Sequence, residues 1–194
     1  MRGTHATFLV YAVLTGSLVA TGSVRAIAQE REAVRPDLSG RWQLNRELSE
    51  NAQTKLDRMQ SSQGGGHGPG RHGGLGALFG GGRNKQMEEA RDLVLNAPAS
   101  LVLTQDGDRI VLTGSEGRLR TLTANDRKEK VNGRDVRTKW DKNHLVSEIS
   151  VGDVKVTDTY ERSANAPQLI VTTKMGMSGH QVSVRRVYDA ERPR

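Results

Sequence analysis

No cysteine occurs in the 194 residues. That absence excludes a disulfide framework, a thiol nucleophile, a thiolate zinc site and a lipid anchor on a lipobox cysteine. Aromatic residues are nearly as scarce, with two Trp, three Tyr and two Phe, and hydrophobic residues make up only 35% of the chain. Such a composition excludes two large packed domains and suits one domain accompanied by low-complexity sequence. A membrane-spanning run is missing too. The longest apolar stretch, Ala6 to Ala20, is broken by Thr15, Gly16 and Ser17 and falls short of the roughly 20 residues needed to cross a bilayer as a helix.

What that stretch does match is a secretory leader. A single early charge at Arg2 precedes it, and small residues at Ala26-Ile27-Ala28 follow it, the pattern a signal peptidase reads. Residues 1–28 are therefore expected to be removed, leaving a mature chain that begins at Gln29, carries no transmembrane segment and resides in the periplasm or is secreted. Nucleotide-dependent and genomic functions do not fit that address.

The remainder divides by composition. Residues 29–60 combine an extended segment at Leu38 to Leu44 with a predicted helix from Ser49, whose apolar positions Leu48, Ala52, Leu56 and Met59 fall three and four apart. Residues 61–85 hold eleven of the 22 glycines and no acid. Too little apolar area is present there to offset backbone entropy, which predicts a flexible insert ahead of a second short helix at about Asn84 to Leu95. From residue 86 the chain joins 37–60 in one domain. After Ala99 the hydrophobic period becomes two, and Asp106-Gly107, Asn132-Gly133 and Gly152-Asp153 punctuate it as hairpin turns. About ten strands result, an antiparallel meander that must hide its apolar face by curling into a barrel or packing under helices.

The segment Asp37 to Trp42 contains Gly40-Arg41-Trp42, which resembles the Gly-x-Trp that opens the first strand of lipocalins. Thr157-Asp158 and Arg185-Arg186 follow in the order of that family's later motifs. The blocks 38–45, 103–108, 136–140, 157–161 and 185–189 together resemble a group of secreted bacterial proteins over residues 37–60 and 84–190. The resemblance implies a lipocalin-like barrel whose closed end is made by Gly40, Trp42 and an arginine of the last strand. It implies no activity. Val182, Val184 and Tyr188 share parity with Arg186, so Arg186 is the inward candidate, expected against the Trp42 indole, and Arg185 faces solvent.

Residues suited to chemistry are few. Gly68 to Gly73 fits a dinucleotide fingerprint only formally, since no strand precedes it. Gly176-Met177-Ser178-Gly179-His180 looks like a nucleophile elbow with its second glycine displaced, and reads better as a hairpin. Met175, Met177 and His180 offer soft ligands, with His67 and His72 in the insert, but Met equally serves as an apolar strand residue. No catalytic set, metal site or cofactor is assigned, and the chain is read as noncatalytic.

Two binding modes follow. In the first, the barrel takes a small apolar or amphipathic ligand among Trp140, Ile149, Val156, Tyr160 and Val184, or acts as an envelope scaffold. In the second, the basic stretch 118–142, with nine Lys or Arg against four acids, presents Arg118, Arg120, Lys128, Lys130, Arg137 and Lys139 outward to an anionic envelope component. The Gly-rich arm, with Leu75, Ala77, Leu78 and Phe79, is the alternative docking element. Aromatic stacking residues are absent from the basic stretch except Trp140, which removes nucleic acid as a partner.

Overall fold

The computed structural model describes residues 35–63, 81–117, 119–177 and 180–191. The expected leader, the dinucleotide-like run, the apolar knot of the insert and Arg118 lie outside these residues. Strands β1 (Gly40–Asn45), β2 (Ser100–Asp106), β3 (Arg109–Gly114), β4 (Leu119–Thr123), β5 (Lys128–Val131), β6 (Arg134–Asp141), β7 (His144–Val151), β8 (Val154–Arg162), β9 (Gln168–Met177) and β10 (His180–Ala190) form one antiparallel sheet. Helices α1 (Ala52–Gln63) and α2 (Gly81–Leu95) fall between β1 and β2, so helix reaches into both ends of the tract read as flexible.

The spatial order is β4-β3-β2-β1-β10-β9-β8-β7-β6-β5. Every step is a hairpin except the two at β1, which pairs with β2 on one side and with the last strand on the other. The sheet curls into a half-barrel. A single contact makes this plain: Arg120 on β4 lies 3.2 Å from Asp158 on β8, although six steps of strand order separate them, about 29 Å in a flat sheet at the usual strand spacing. Among the described residues β4 and β5 are not paired with each other, which leaves a seam where the barrel would close.

Alternation places the core. In β7 and β8 every second residue is buried, Leu145, Ser147, Ile149 and Val151 in one, Val154, Val156, Asp158 and Tyr160 in the other. These residues share the concave face. That face carries two apolar clusters. One gathers Leu38, Trp42, Leu101, Leu103, Ile110, Leu145, Leu169 and Tyr188 at the end near the β1 start. The other packs Leu56 of α1 and Ala90 and Val94 of α2 against Val154, Val156, Met175, Val182 and Val184. The helices thus cover one end of the concave face.

At the other end Trp42 is 1% exposed and its indole Nε1 donates to the Leu38 carbonyl at 3.2 Å. Gly40 has φ +150°, and a Cβ there would sit 3.3 Å from the Trp42 ring. The glycine of the motif is thus needed for both its backbone and its lack of bulk. The partner of the indole differs from the expectation. Trp42 pairs with Ala190, four residues along β10 from Arg186, so Arg186 is out of reach. The cation over the ring is Arg162, 5.6 Å from the centroid, and it also donates to the Asp37 carbonyl at 2.7 Å.

Helix α1 begins later than its apolar spacing predicts. Asn51 caps it, its side chain accepting from the Thr54 amide at 3.0 Å, and Leu48 lies outside the helix, 53% exposed. The β5–β6 turn at Asn132-Gly133 has both residues at positive φ, 51° and 79°, as a two-residue hairpin connection requires.

Candidate functional site

Between the two apolar clusters the concave face carries a polar row. Thr138, Ser147, Asp158 and Thr173 are register partners across β6 to β9, all buried. The Thr138 hydroxyl donates to Ser147 Oγ at 3.2 Å. Asp158 Oδ1 accepts from Thr173 Oγ1 at 2.8 Å, and its Oδ2 accepts from Arg120 Nη1 at 3.2 Å. Arg186 Nη1 donates to the Thr173 hydroxyl at 3.3 Å, and its Nη2 donates to the Val94 carbonyl. Tyr188, two residues on, donates its hydroxyl to the Pro98 carbonyl at 3.2 Å.

Of these side chains Arg120, Asp158, Thr173, Arg186 and Tyr188 line a cavity of about 500 Å³. Apolar walls come from Leu101, Leu112, Leu122, Val136, Ile149 and Val171, and Tyr160 and Tyr188 add rings. Glu89, Asp92, Leu93 and Asn96, spaced along one face of α2 and its end, close the helical side. There Arg134 at the start of β6 is bound by Glu89, its Nε donating at 2.6 Å.

The electrostatics follow from burial. Asp158 is 8% and Arg186 6% exposed, and the Arg120 side chain 35%. Burial lowers the Arg186 guanidinium from its ordinary value, against the opposing pull of Tyr188 and Asp158. Burial pushes the Tyr188 phenol up to about 12, with the Arg186 charge acting against the rise and Asp158 adding to it. The Tyr160 phenol is raised as well, by burial first and then by Asp158. Among the described residues Arg186 makes no ion pair; on the sheet wall Arg120 is paired with Asp158, while Glu89, Asp92 and Glu116 add further acids to the lining and Arg134 is bound by Glu89. Asp158 has both oxygens engaged by donors. The arrangement places guanidinium donors in a chamber lined by both apolar and charged side chains.

The residues singled out from sequence are distributed unevenly. Ile149 and Tyr160 line the cavity. Val156 and Val184 do not. They point to the same face but lie beneath α1 and α2, packed in the helical cluster. Trp140 packs against the cluster around Trp42, with Arg35 6.0 Å over its ring and its Nε1 buried without a partner among the described residues. Gly40 and Trp42 are at the end near the β1 start, whereas Arg186 is in the cavity.

The basic face separates into two. Arg120 shares parity with Leu122, which is buried, and both turn inward. Lys128, Lys130, Arg137 and Lys139 are exposed on the convex side. Acids interleave with them: Asp135 lies 3.7 Å from Lys128 and 3.0 Å from Lys130, and Asp126 lies 2.8 Å from Arg137. Met175 is 1% exposed in the helical core, and among the described residues no cluster of His, Asp and Glu is arranged to hold a metal. Met177 pairs with His180 in the β9–β10 hairpin, so the elbow-like run joins two strands rather than a strand and a helix.

Sequence reasoning missed Asp158 and Thr173 as site residues and misplaced Arg120. The signal was present. Asp158 stands in the buried alternation of Val154, Val156 and Tyr160, and Arg120 stands two residues from Leu122.

No protein-family model matches the chain, and no curated protein matches it. Among solved structures it is similar to fatty-acid-binding protein 1 of Echinococcus granulosus, at 13% identity over 80% of this chain and 98% of that one, TM-score 0.45. It is similar to a secretory abundant heat soluble protein of Ramazzottius varieornatus, at 15% identity, 79% and 95% coverage and TM-score 0.45. A third is the zebrafish ileal bile acid-binding protein in complex with cholic acid, at 12% identity, 79% and 98% coverage and TM-score 0.42. These are likenesses of chain path, and no residue role passes from them to this chain. Among the described residues no helix is long and apolar enough to cross a membrane.

Proposed function

We propose that the protein is a noncatalytic carrier whose half-barrel holds one small amphipathic anion, with its charged head on Arg120 and Arg186 and its apolar part against Leu112, Leu122, Val136, Ile149 and Val171. The observation that supports this reading is Arg186, a buried guanidinium that makes no ion pair among the described residues and lines a cavity shared by the charged residues Arg120, Arg134, Glu89, Asp92, Glu116 and Asp158. A buried cation without a counterion is costly, and a ligand that supplies one anionic group removes that cost. The cavity volume of about 500 Å³ lies within the range of small-molecule sites, roughly 300–1,000 Å³. Export through the leader at residues 1–28 belongs to the proposal and is supported by the sequence pattern alone.

Calorimetric titration with three chains of equal length tests the reading. Sodium dodecanoate is expected to bind more tightly than dodecanol by about tenfold or more, a charge-assisted contact being worth roughly 1.5–3 kcal/mol, and dodecyltrimethylammonium is expected to bind least. Arg186→Gln should abolish the preference for the carboxylate. Equal binding of all three, or of none, would overturn it.

A further inference from the structure

We propose that the cavity and helix α2 compete for Arg186, so that an anion entering the site uncaps the end of the helix. This deepens the carrier reading and rests on it. The argument begins with a proline. In an α-helix the carbonyl of Val94 would accept from the amide four residues on, and that residue is Pro98, which has no N–H. Val94 is wholly buried, so its carbonyl must find a donor elsewhere or remain an expensive orphan. The donor is Arg186 Nη2. One strand pair further, Tyr188 donates to the carbonyl of Pro98 itself at 3.2 Å.

Two inward residues of β10 therefore hold two carbonyls four positions apart in sequence, at the point where α2 gives way to β2. The cationic head also complements the negative end of the helix. The same guanidinium and the same phenol line the cavity, and so do Asn96, Ala97 and Pro98 of the segment they hold. A carboxylate that takes Arg186 offers it a full charge in place of a neutral carbonyl, and Val94 is left without its donor. The last turn of α2 and residues 96–98 then loosen when the site fills. By linkage the helix end, when capped, opposes ligand binding to the same extent.

Hydrogen exchange at the amides of Asn96 and Ala97, which donate to the Asp92 and Leu95 carbonyls, reads this directly. Without ligand, Arg186→Gln and Tyr188→Phe should each speed exchange there about tenfold, with the β2–β3 ladder unchanged. Saturating sodium dodecanoate on the wild type should slow exchange in β8 and β9 while speeding it at Asn96 and Ala97, and it should add nothing at those two amides in Arg186→Gln. Should Arg186→Gln not fold, Tyr188→Phe decides the first arm. Slowed β8 and β9 with Asn96 and Ala97 unchanged or slowed overturns the coupling and leaves the carrier reading standing. No effect of dodecanoate anywhere overturns both, and unchanged exchange in both variants overturns the cap.

Discussion

Tyr188 keeps its proton at a pH where an unfolded tyrosine loses it, because its ionised form would be stranded in the interior. Its value is raised from 10.0 to about 12. Above pH 10 the unfolded chain releases that proton while the native chain retains it, so the native state binds more protons and stability falls as pH rises. The stability is therefore fully present below pH 10 and is lost progressively toward pH 12. Urea midpoints between pH 9 and 12 should show this decline, and Tyr188→Phe should flatten it while costing a modest amount at neutral pH through the lost bond to Pro98. A slope unchanged in the variant would mean that Tyr188 is not the titrating group, leaving Tyr160, also raised by burial. At this scale the sequence was partly legible. Parity with Val182, Val184 and Tyr188 placed Arg186 inward, since alternation is local. Its contact with Val94 was not legible, because it joins a strand to a helix end 92 positions away, and nothing local encodes that meeting.

At the scale of elements, α1 and α2 matter by covering one end of the concave face. Leu56 is the inserted residue of α1, 1% exposed among Val182, Val184 and Met175. Leu56→Ala should cost about 2–5 kcal/mol as a large-to-small change in a packed site. Leu48→Ala, at an exposed position before the helix, should stay within about 0.5 kcal/mol. Denaturant titration of the two variants separates them, and similar losses would show that the Asn51 cap does not mark where packing begins. The strands were legible because their turns are written in Asp-Gly and Asn-Gly pairs and their faces in strict alternation. The fate of the basic stretch was not. Arg120 and Lys128 are both cations in short strands; parity with Leu122 turns Arg120 inward, and the curl of the sheet, which local sequence does not encode, brings it to Asp158 while Lys128 stays outside beside Asp135.

For the whole molecule, the export proposal makes a direct demand. Protein recovered from outside the cytoplasm of the cell that produces it should begin at Gln29 when its N-terminal peptide is sequenced by mass spectrometry. Detection of residues 5–25 in the mature, membrane-bound fraction would refute it. The curled meander was legible as a class, since so many short alternating segments have few other ways to hide one face. Which strands would meet was not, because that depends on β1.

The position of β1 has a consequence in time. It joins two meanders that are each built from neighbours in sequence, β2 to β4 on one side and β5 to β10 on the other, and it bonds to the last strand across 144 positions, as in the pair Asn45 and Asp189. A chain emerging from its N-terminus can form either meander as it appears, yet Trp42 lacks its neighbour Ala190 until the final strand arrives. Long-range closure of this kind is the slow step of β folding. The first strand can pair with β2 early, but its pairing with β10 waits for the last strand of the sheet, so the native sheet is completed at β1 only after β10 has appeared.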